Sequence, residues 1–409
     1  MQEVIRTSDP RLAALLARQA TQYVDRDQLG LDRIVALLDR LGRPQDRLPP
    51  VFHVAGTNGK GSTCAFLRAG LEAAGHRTHV FTSPHLVRYN ERIRLAGTLI
   101  TDDQLAEVMT RALDADAKAN GGIGASLFEL NTAAALLAFA ETPADACILE
   151  VGLGGRMDAT NVVDRPAVCG IASLGLDHEA FLGSSLSKVA AEKAGIAKPG
   201  VPLVALRPAD EALAMIDRSA GERGATLLLE GRDWQPDPTL EPSLPGSHQL
   251  RNANLALAML SAQSAVSVPR EAFVRGITVA HWPARFDRLA DGPLTDGVET
   301  WIDGAHNPDA AEALAKLLDH RPMHLVLGIL ANKDAAGIIA PLASHALSLT
   351  FIAVPDHPSH DPGALAAAFC GTAAPSLEEA LAPLPAPRLI VGSLYLAGEA
   401  LRANRQVPD

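Results

Sequence analysis

Val51-Phe52-His53-Val54-Ala55-Gly56-Thr57-Asn58-Gly59-Lys60-Gly61-Ser62-Thr63 is the stretch on which the reading of this 409-residue chain turns. The apolar run at 51–54 predicts a buried strand, and residues 62–74, beyond the glycines, carry helical period. Between them, glycines let successive backbone N–H groups turn toward one anion, and the positive end of the helix faces the same point. Lys60 adds a charge for the outer phosphates and Ser62 a hydroxyl for magnesium. Strand, loop, lysine, hydroxyl and helix stand in the order a nucleotide site requires. The spacing departs from GxxxxGK[ST]: only two residues separate Gly56 from Gly59, and Gly61 intervenes between Lys60 and Ser62. Alone, the loop says nucleotide and leaves the reaction open.

Outward from the loop, short apolar runs alternate with helical segments: 145–151, then 168–173 and 187–196, then 202–206 and 209–219. That alternation predicts an α/β domain built on a parallel sheet covered on both faces. An alanine-rich helix is expected over 252–264, after which Pro283 and the loop 291–297 break the pattern. A second strand–helix series follows at 300–303, 308–318, 324–328, 347–354 and 388–391, with a last helix from Leu394. The expected division is a P-loop nucleotide-binding domain at 1–283, an interdomain segment at 284–297, and a smaller Rossmann-like α/β domain at 298–409.

Composition narrows the function classes. Hydrophobic residues make up 47% and charged residues 20% of the chain, enough for sizeable cores. A net charge of -11 offers no basic field for a nucleic acid. The four cysteines, Cys64, Cys147, Cys169 and Cys370, lack paired spacing and read as reduced thiols, with neither a zinc site nor a disulfide framework. The first residues form no apolar leader and no stretch approaches a membrane span, so a cytoplasmic protein without a membrane partner is expected.

Several single residues have two readings. Glu150 ends an apolar run beside the loop, where it suits magnesium or caps the next turn. His178 is a ligand or a loop histidine bonded to backbone. Lys193 reads as a solvated lysine paired with Glu192. Arg285 is a bidentate donor that cleft closure brings to phosphates, or a structural ion pair. Asp303 ends a predicted strand, where parallel sheets place ligand groups.

GTNGKGS at 56–62 resembles the loop of the folylpolyglutamate synthase and dihydrofolate synthase family, relatives of the muramyl ligases. TSPHLVRYNERI at 82–93, EVGLGGRMDATN at 150–161, DHEAFLG at 177–183, EKAGIAKPG at 192–200, DGAHNP at 303–308 and GSLYLAGE at 392–399 agree in the same order. The resemblance implies two domains with an ATP cleft between them. It assigns ATP, the substrate, to Thr57, Asn58, Gly59, Lys60, Gly61, Ser62, Asn252, Arg285, Asp303 and His306. Two Mg2+ ions fall to Ser62, Ser83, Glu150, His178 and Lys193, the last as a carbamylated lysine. The pterin falls to Arg26, Asp27, Gln28 and Leu29, to Ser126, Leu127, Phe128 and Glu129, and to Met157, Asp158 and Ala159. Two departures stand out: Ala284 where the family has glycine, and Asn332 in place of aspartate in Asn332-Lys333-Asp334.

Together these parts fit acyl activation, in which Lys60 and magnesium neutralise the γ-phosphate, a carboxylate attacks it and an amine displaces the phosphate. Lys60, Glu150, His178, Lys193 and Arg285 are the expected catalytic set. By resemblance the substrates are ATP, L-glutamate, dihydropteroate and reduced folates, the enzyme is bifunctional, and the chain is a monomer. A monofunctional folylpolyglutamate synthase, a muramyl-type ligase and a non-catalytic P-loop module are the competing readings.

Overall fold

The computed structural model describes residues 9–22, 30–117, 121–177, 181, 183, 185–319 and 321–409. Eight strands build a first sheet: β1 (Val51–Ala55), β2 (Thr78–Phe81), β3 (Ile93–Leu95), β4 (Thr98–Leu99), β5 (Ala146–Glu150), β6 (Val168–Ile171), β7 (Pro202–Ala205) and β8 (Thr226–Leu229). Their spatial order is β4-β3-β2-β5-β1-β6-β7-β8. β1 and β5 are buried along their whole length, because helices cover both faces, and this is why they read as apolar runs rather than alternating ones. The expected parallel sheet is present from β2 to β8. β3 and β4 add an antiparallel edge that the alternation did not predict.

β1 lies between β5 on one side and β6 on the other, so the chain leaves the middle of the sheet in opposite directions. A crevice opens outside the carboxyl ends of strands at such a switch point. The register Val54↔Glu150 sets the end of β5 beside the end of β1, which places Glu150 next to the glycine loop.

A second sheet follows: β9 (Asp287–Arg288), β10 (Thr300–Ile302), β11 (Met323–Leu327), β12 (Ala346–Phe351), β13 (Thr372–Ala373) and β14 (Arg388–Val391), in the order β13-β12-β11-β14-β10-β9. All its pairings are parallel except β9 with β10. Asp303 follows β10 directly, and its N–H donates to Ile390 of β14 at 3.0 Å. Residues 284–297, expected as a segment between domains, supply β9 and bury Ala284, Leu289 and Leu294 with Ile302 and Val326 in the second core. A two-residue edge strand has no periodicity to read, so the sequence pattern missed it. The helix expected from 252 begins at Ser247, since Ser247, His248, Gln249 and Arg251 are polar and give no apolar period.

The two halves of the chain meet where a loop of the first packs on a helix of the second. Leu86 and Val87, from the connection between β2 and β3, are partly buried and pack against the cluster that holds Leu396, Ala397 and Ala400 of the helix Leu394–Ala403. No helix of the described residues is long and apolar enough to cross a membrane. Cys64, Cys147 and Cys169 are buried free thiols and Cys370 is an exposed one.

Candidate active site

The glycine loop closes on itself before any ligand is considered. Gly59 caps the helix Lys60–Ala73 at φ +85, a left-handed conformation in which a side chain is strained, and a Cβ there would lie 2.4 Å from Asn252 Oδ1. Thr57 N–H donates to Ser173 O at 2.8 Å, and Thr57 Oγ1 donates to Gly175 O at 2.9 Å. Lys60 Nζ donates to Gly56 O at 3.0 Å and to Thr57 O at 3.3 Å, so its ammonium is held over the loop. Ser62, expected from the sequence to meet a metal, is 1% exposed in the first turn of that helix.

The same Gly56 carbonyl accepts from Lys193 Nζ at 2.8 Å. Lys193 is 4% exposed, and burial, reinforced by the Lys60 charge, pulls its pKa down to about 7. Its neighbour Glu192 is taken by Arg156, with Nη2 at 2.7 Å and Nε at 3.0 Å. The solvated Glu192–Lys193 pair is therefore not formed, and Lys193 turns into the cleft. Glu150 is buried at the end of β5, accepts from Ser83 N at 3.3 Å, and is pushed up in pKa by burial against the pull of Lys60. A buried carboxylate and the hydroxyls of Ser62 and Ser83 are hard oxygen donors. With phosphate oxygens and water they suit Mg2+ or Mn2+. Among the described residues no three His, Cys, Asp or Glu side chains form a metal cage, and His178 lies outside the described residues.

The second sheet supplies the opposite wall. Asp303 accepts from Phe286 N at 2.7 Å and Ala305 N at 2.8 Å, and so fixes the turn that carries Arg285. Burial raises the Asp303 pKa, and Arg285 is the largest influence opposing that shift. His306 Nδ1 is 2.8 Å from Gly304 O, and its Nε2 is 3.5 Å from Asp177. Asn307 caps the helix Pro308–Leu318 by accepting from Ala310 N at 3.0 Å. It also exchanges amide hydrogen bonds with Asn58 of the glycine loop, at 3.1 and 3.0 Å. Lys333 donates to Asp177 across the cleft, with both side chains 9% exposed. Asn252 is buried in the second turn of its helix, where Nδ2 donates to Gln249 Oε1 at 3.2 Å.

One cavity of about 590 Å³ joins these walls. Thr57 to Ser62, Ser83, Glu150, Lys193, Asn252, Arg285, Asp303 and His306 all line it. So do Ser126, Phe128, Glu129, Met157, Asp158 and Ala159; Leu127 does not line it and packs against the first core instead. Ser126 and Glu129 form a reciprocal cap on the helix Leu127–Glu141, and Arg33 Nε donates to Glu129 at 3.1 Å. Asp158 accepts from Gly152 N at 3.0 Å, Leu153 N at 2.9 Å and Thr160 N at 3.0 Å, which makes it the pin of its own loop. Phe128 stands over Gly152, where a Cβ would come 2.4 Å from the ring. Arg26, Asp27, Gln28 and Leu29 lie outside the described residues.

Sequence reasoning gave no role to Asp177, Asn307, Arg33 or Arg92, each of which lines the cavity or bonds across it. Asp177 and Asn307 fall inside quoted motifs; nothing in the sequence pairs them with Lys333 and Asn58. The replaced carboxylate at Asn332 sits at the exposed edge of the cleft, and Lys333 keeps its partner. Ala284 adopts φ +59, the region that favours the glycine it replaces.

Residues 284–385 match the Mur ligase, glutamate ligase domain. The dihydrofolate synthase/folylpolyglutamate synthase of Bacillus subtilis (strain 168) is 35% identical over 353 residues, 79% of this chain and 80% of the relative. A solved structure described as E. coli FolC in complex with DHPP and ADP superposes with a TM-score of 0.85 at 31% identity, covering 97% of each chain. A bifunctional folylpolyglutamate synthase/dihydrofolate synthase with Mn, AMPPNP and L-glutamate bound gives 0.84 at 30% identity over 98% of this chain and 99% of that one. Similarity of this extent in sequence and in fold has one meaning: the chain belongs to the dihydrofolate synthase/folylpolyglutamate synthase family.

Proposed function

We propose that this protein is an ADP-forming ligase that joins L-glutamate both to dihydropteroate and to reduced folates. The observation that carries the reading is the convergence of two sheets on one cavity: the glycine loop, Glu150 and Lys193 from the first, Arg285 and Asp303 from the second. A carboxylate oxygen of the acceptor attacks the γ-phosphorus, and the bond to the ADP oxygen breaks. The glutamate amine then attacks the acyl carbon, and phosphate and a proton leave. Lys60 and the loop N–H groups hold the phosphates, and Arg285 meets the charge that develops between them. When bound, magnesium neutralises phosphate charge; Ser62, Ser83, Glu150 and Lys193 are the residues here that would hold it, with His178 added by resemblance.

Lys193 is read as carbamylated. The lowered pKa leaves a large fraction of neutral amine near pH 7, which adds to CO2 with loss of one proton and turns a buried cation into an oxygen donor. Two Mg2+ ions, a monomer, a cytoplasmic site of action and a division near residue 284 complete the proposal.

Acceptor labelled with 18O in its carboxylate tests the chemistry. One labelled oxygen in the released phosphate is expected for each glutamyl product. Unlabelled phosphate alongside product formation would exclude the acyl phosphate. Product from only one of the two acceptors would reduce the enzyme to a monofunctional synthase.

A further inference from the structure

The connection between β2 and β3 runs from Thr82 to Arg92, and it is unusually self-bonded. Glu91 accepts three N–H bonds in a row, from Leu86 at 2.7 Å, Val87 at 3.0 Å and Arg88 at 2.6 Å. Arg92 Nε donates to His85 Nδ1 at 3.0 Å, and Tyr89 OH bonds Asn131 of the first core. These bonds tie the residues of the loop to one another, so a displacement at Leu86 is shared by its neighbours. At one end, Ser83 N–H holds the Glu150 carboxylate at 3.3 Å. At the other, Leu86 and Val87 pack against the second core. Gly398 makes that seating possible, because a Cβ there would stand 2.1 Å from Leu86 O and 2.9 Å from its carbonyl carbon. The obstruction is backbone, which cannot swing aside.

We propose that the loop 83–92 is a strut that transmits the seating of the second domain to the Ser83–Glu150 pair, and that Gly398 is a positioning residue for that pair. Gly398 touches neither substrate nor metal in this scheme; it acts through Leu86. A methyl group at 398 pushes the loop body off the second domain and turns Ser83 away from Glu150. The proposal rests on the reading of Ser83 and Glu150 as metal-holding groups.

The test is a Mn2+ titration followed by electron paramagnetic resonance, on full-length protein saturated with ADP, together with thermal melts. Gly398→Ala is expected to weaken Mn2+ binding about five- to tenfold, the scale on which coupled contacts act at a distance. Gly221→Ala is the control, since Gly221 is a helical glycine with open space around it, and it should leave Mn2+ binding unchanged. If Gly398→Ala does not fold, Glu91→Gln replaces it; it weakens the loop's internal bonds without adding bulk, and the same loss is expected. A folded Gly398→Ala or Glu91→Gln variant that binds Mn2+ as tightly as the unmodified protein overturns the strut alone. Absence of Mn2+ binding in the unmodified protein overturns the metal reading, and the strut with it.

Discussion

The two walls of the cleft are built on different principles. The first is made of backbone: Gly59 in a left-handed turn, Thr57 tied to Ser173 and Gly175, and two lysines held by the single carbonyl of Gly56. Apart from Asn58, these groups find their partners within the first half of the chain. The second wall is made of side chains on turns after strands, and several of them finish their bonding only across the cleft, Asn307 to Asn58 and Lys333 to Asp177. On the proposed function, a pre-assembled wall binds a phosphate by itself, whereas the opposing wall acts when the cleft is closed. The difference predicts that nucleotide binding and turnover can be separated by substitution.

The largest effect should come from the first wall. Lys60→Ala removes the loop ammonium that we propose meets the outer phosphates, and a loss of about 10³-fold in turnover with loss of ATP-analogue binding is expected by calorimetry and ADP release. Retained analogue binding in this variant would break the comparison. On the second wall, Arg285→Ala should lower kcat about 10²- to 10³-fold while the analogue Kd moves less than about fivefold, as for a donor that meets charge only in the transition state. Equal losses in Kd and kcat would mean that both walls bind the ground state.

Asn307→Ala sharpens the contrast at a smaller scale. It removes a helix cap and the amide pair to Asn58 together, so a stability loss of about 1 kcal/mol by denaturant melt should accompany roughly a tenfold fall in kcat/KM. The smallest effect is expected at Ala284→Gly. Relief of the left-handed backbone at φ +59 favours glycine, and loss of a buried methyl opposes it. The net gain should be about 0.5 kcal/mol in stability, with turnover unchanged within about twofold.

How much of this was legible in the sequence follows the same contrast. A backbone anion site demands glycines at fixed offsets between a strand and a helix, so residues 51–63 declared the fold class and the loop on which the phosphate proposal rests. Strand ends were legible too, because parallel buried strands are continuous apolar runs, and Glu150 and Asp303 follow directly from them. Cross-cleft bonding was not. Asp177, Lys333, Asn58 and Asn307 are ordinary residues until the fold brings them together, and no local period encodes a partner more than a hundred positions away. That Lys193 does not pair with Glu192 also needed the structure, since Arg156 takes that carboxylate. The strands β3, β4 and β9 are too short to show alternation.

The most direct test of the account is ADP release measured together with product mass, with ATP, magnesium and L-glutamate supplied and dihydropteroate or a reduced folate added in separate reactions. The account predicts one ADP for each glutamate gained, with both acceptors. A folded, ATP-binding protein that released no ADP with either acceptor, or released it without adding glutamate, would contradict it.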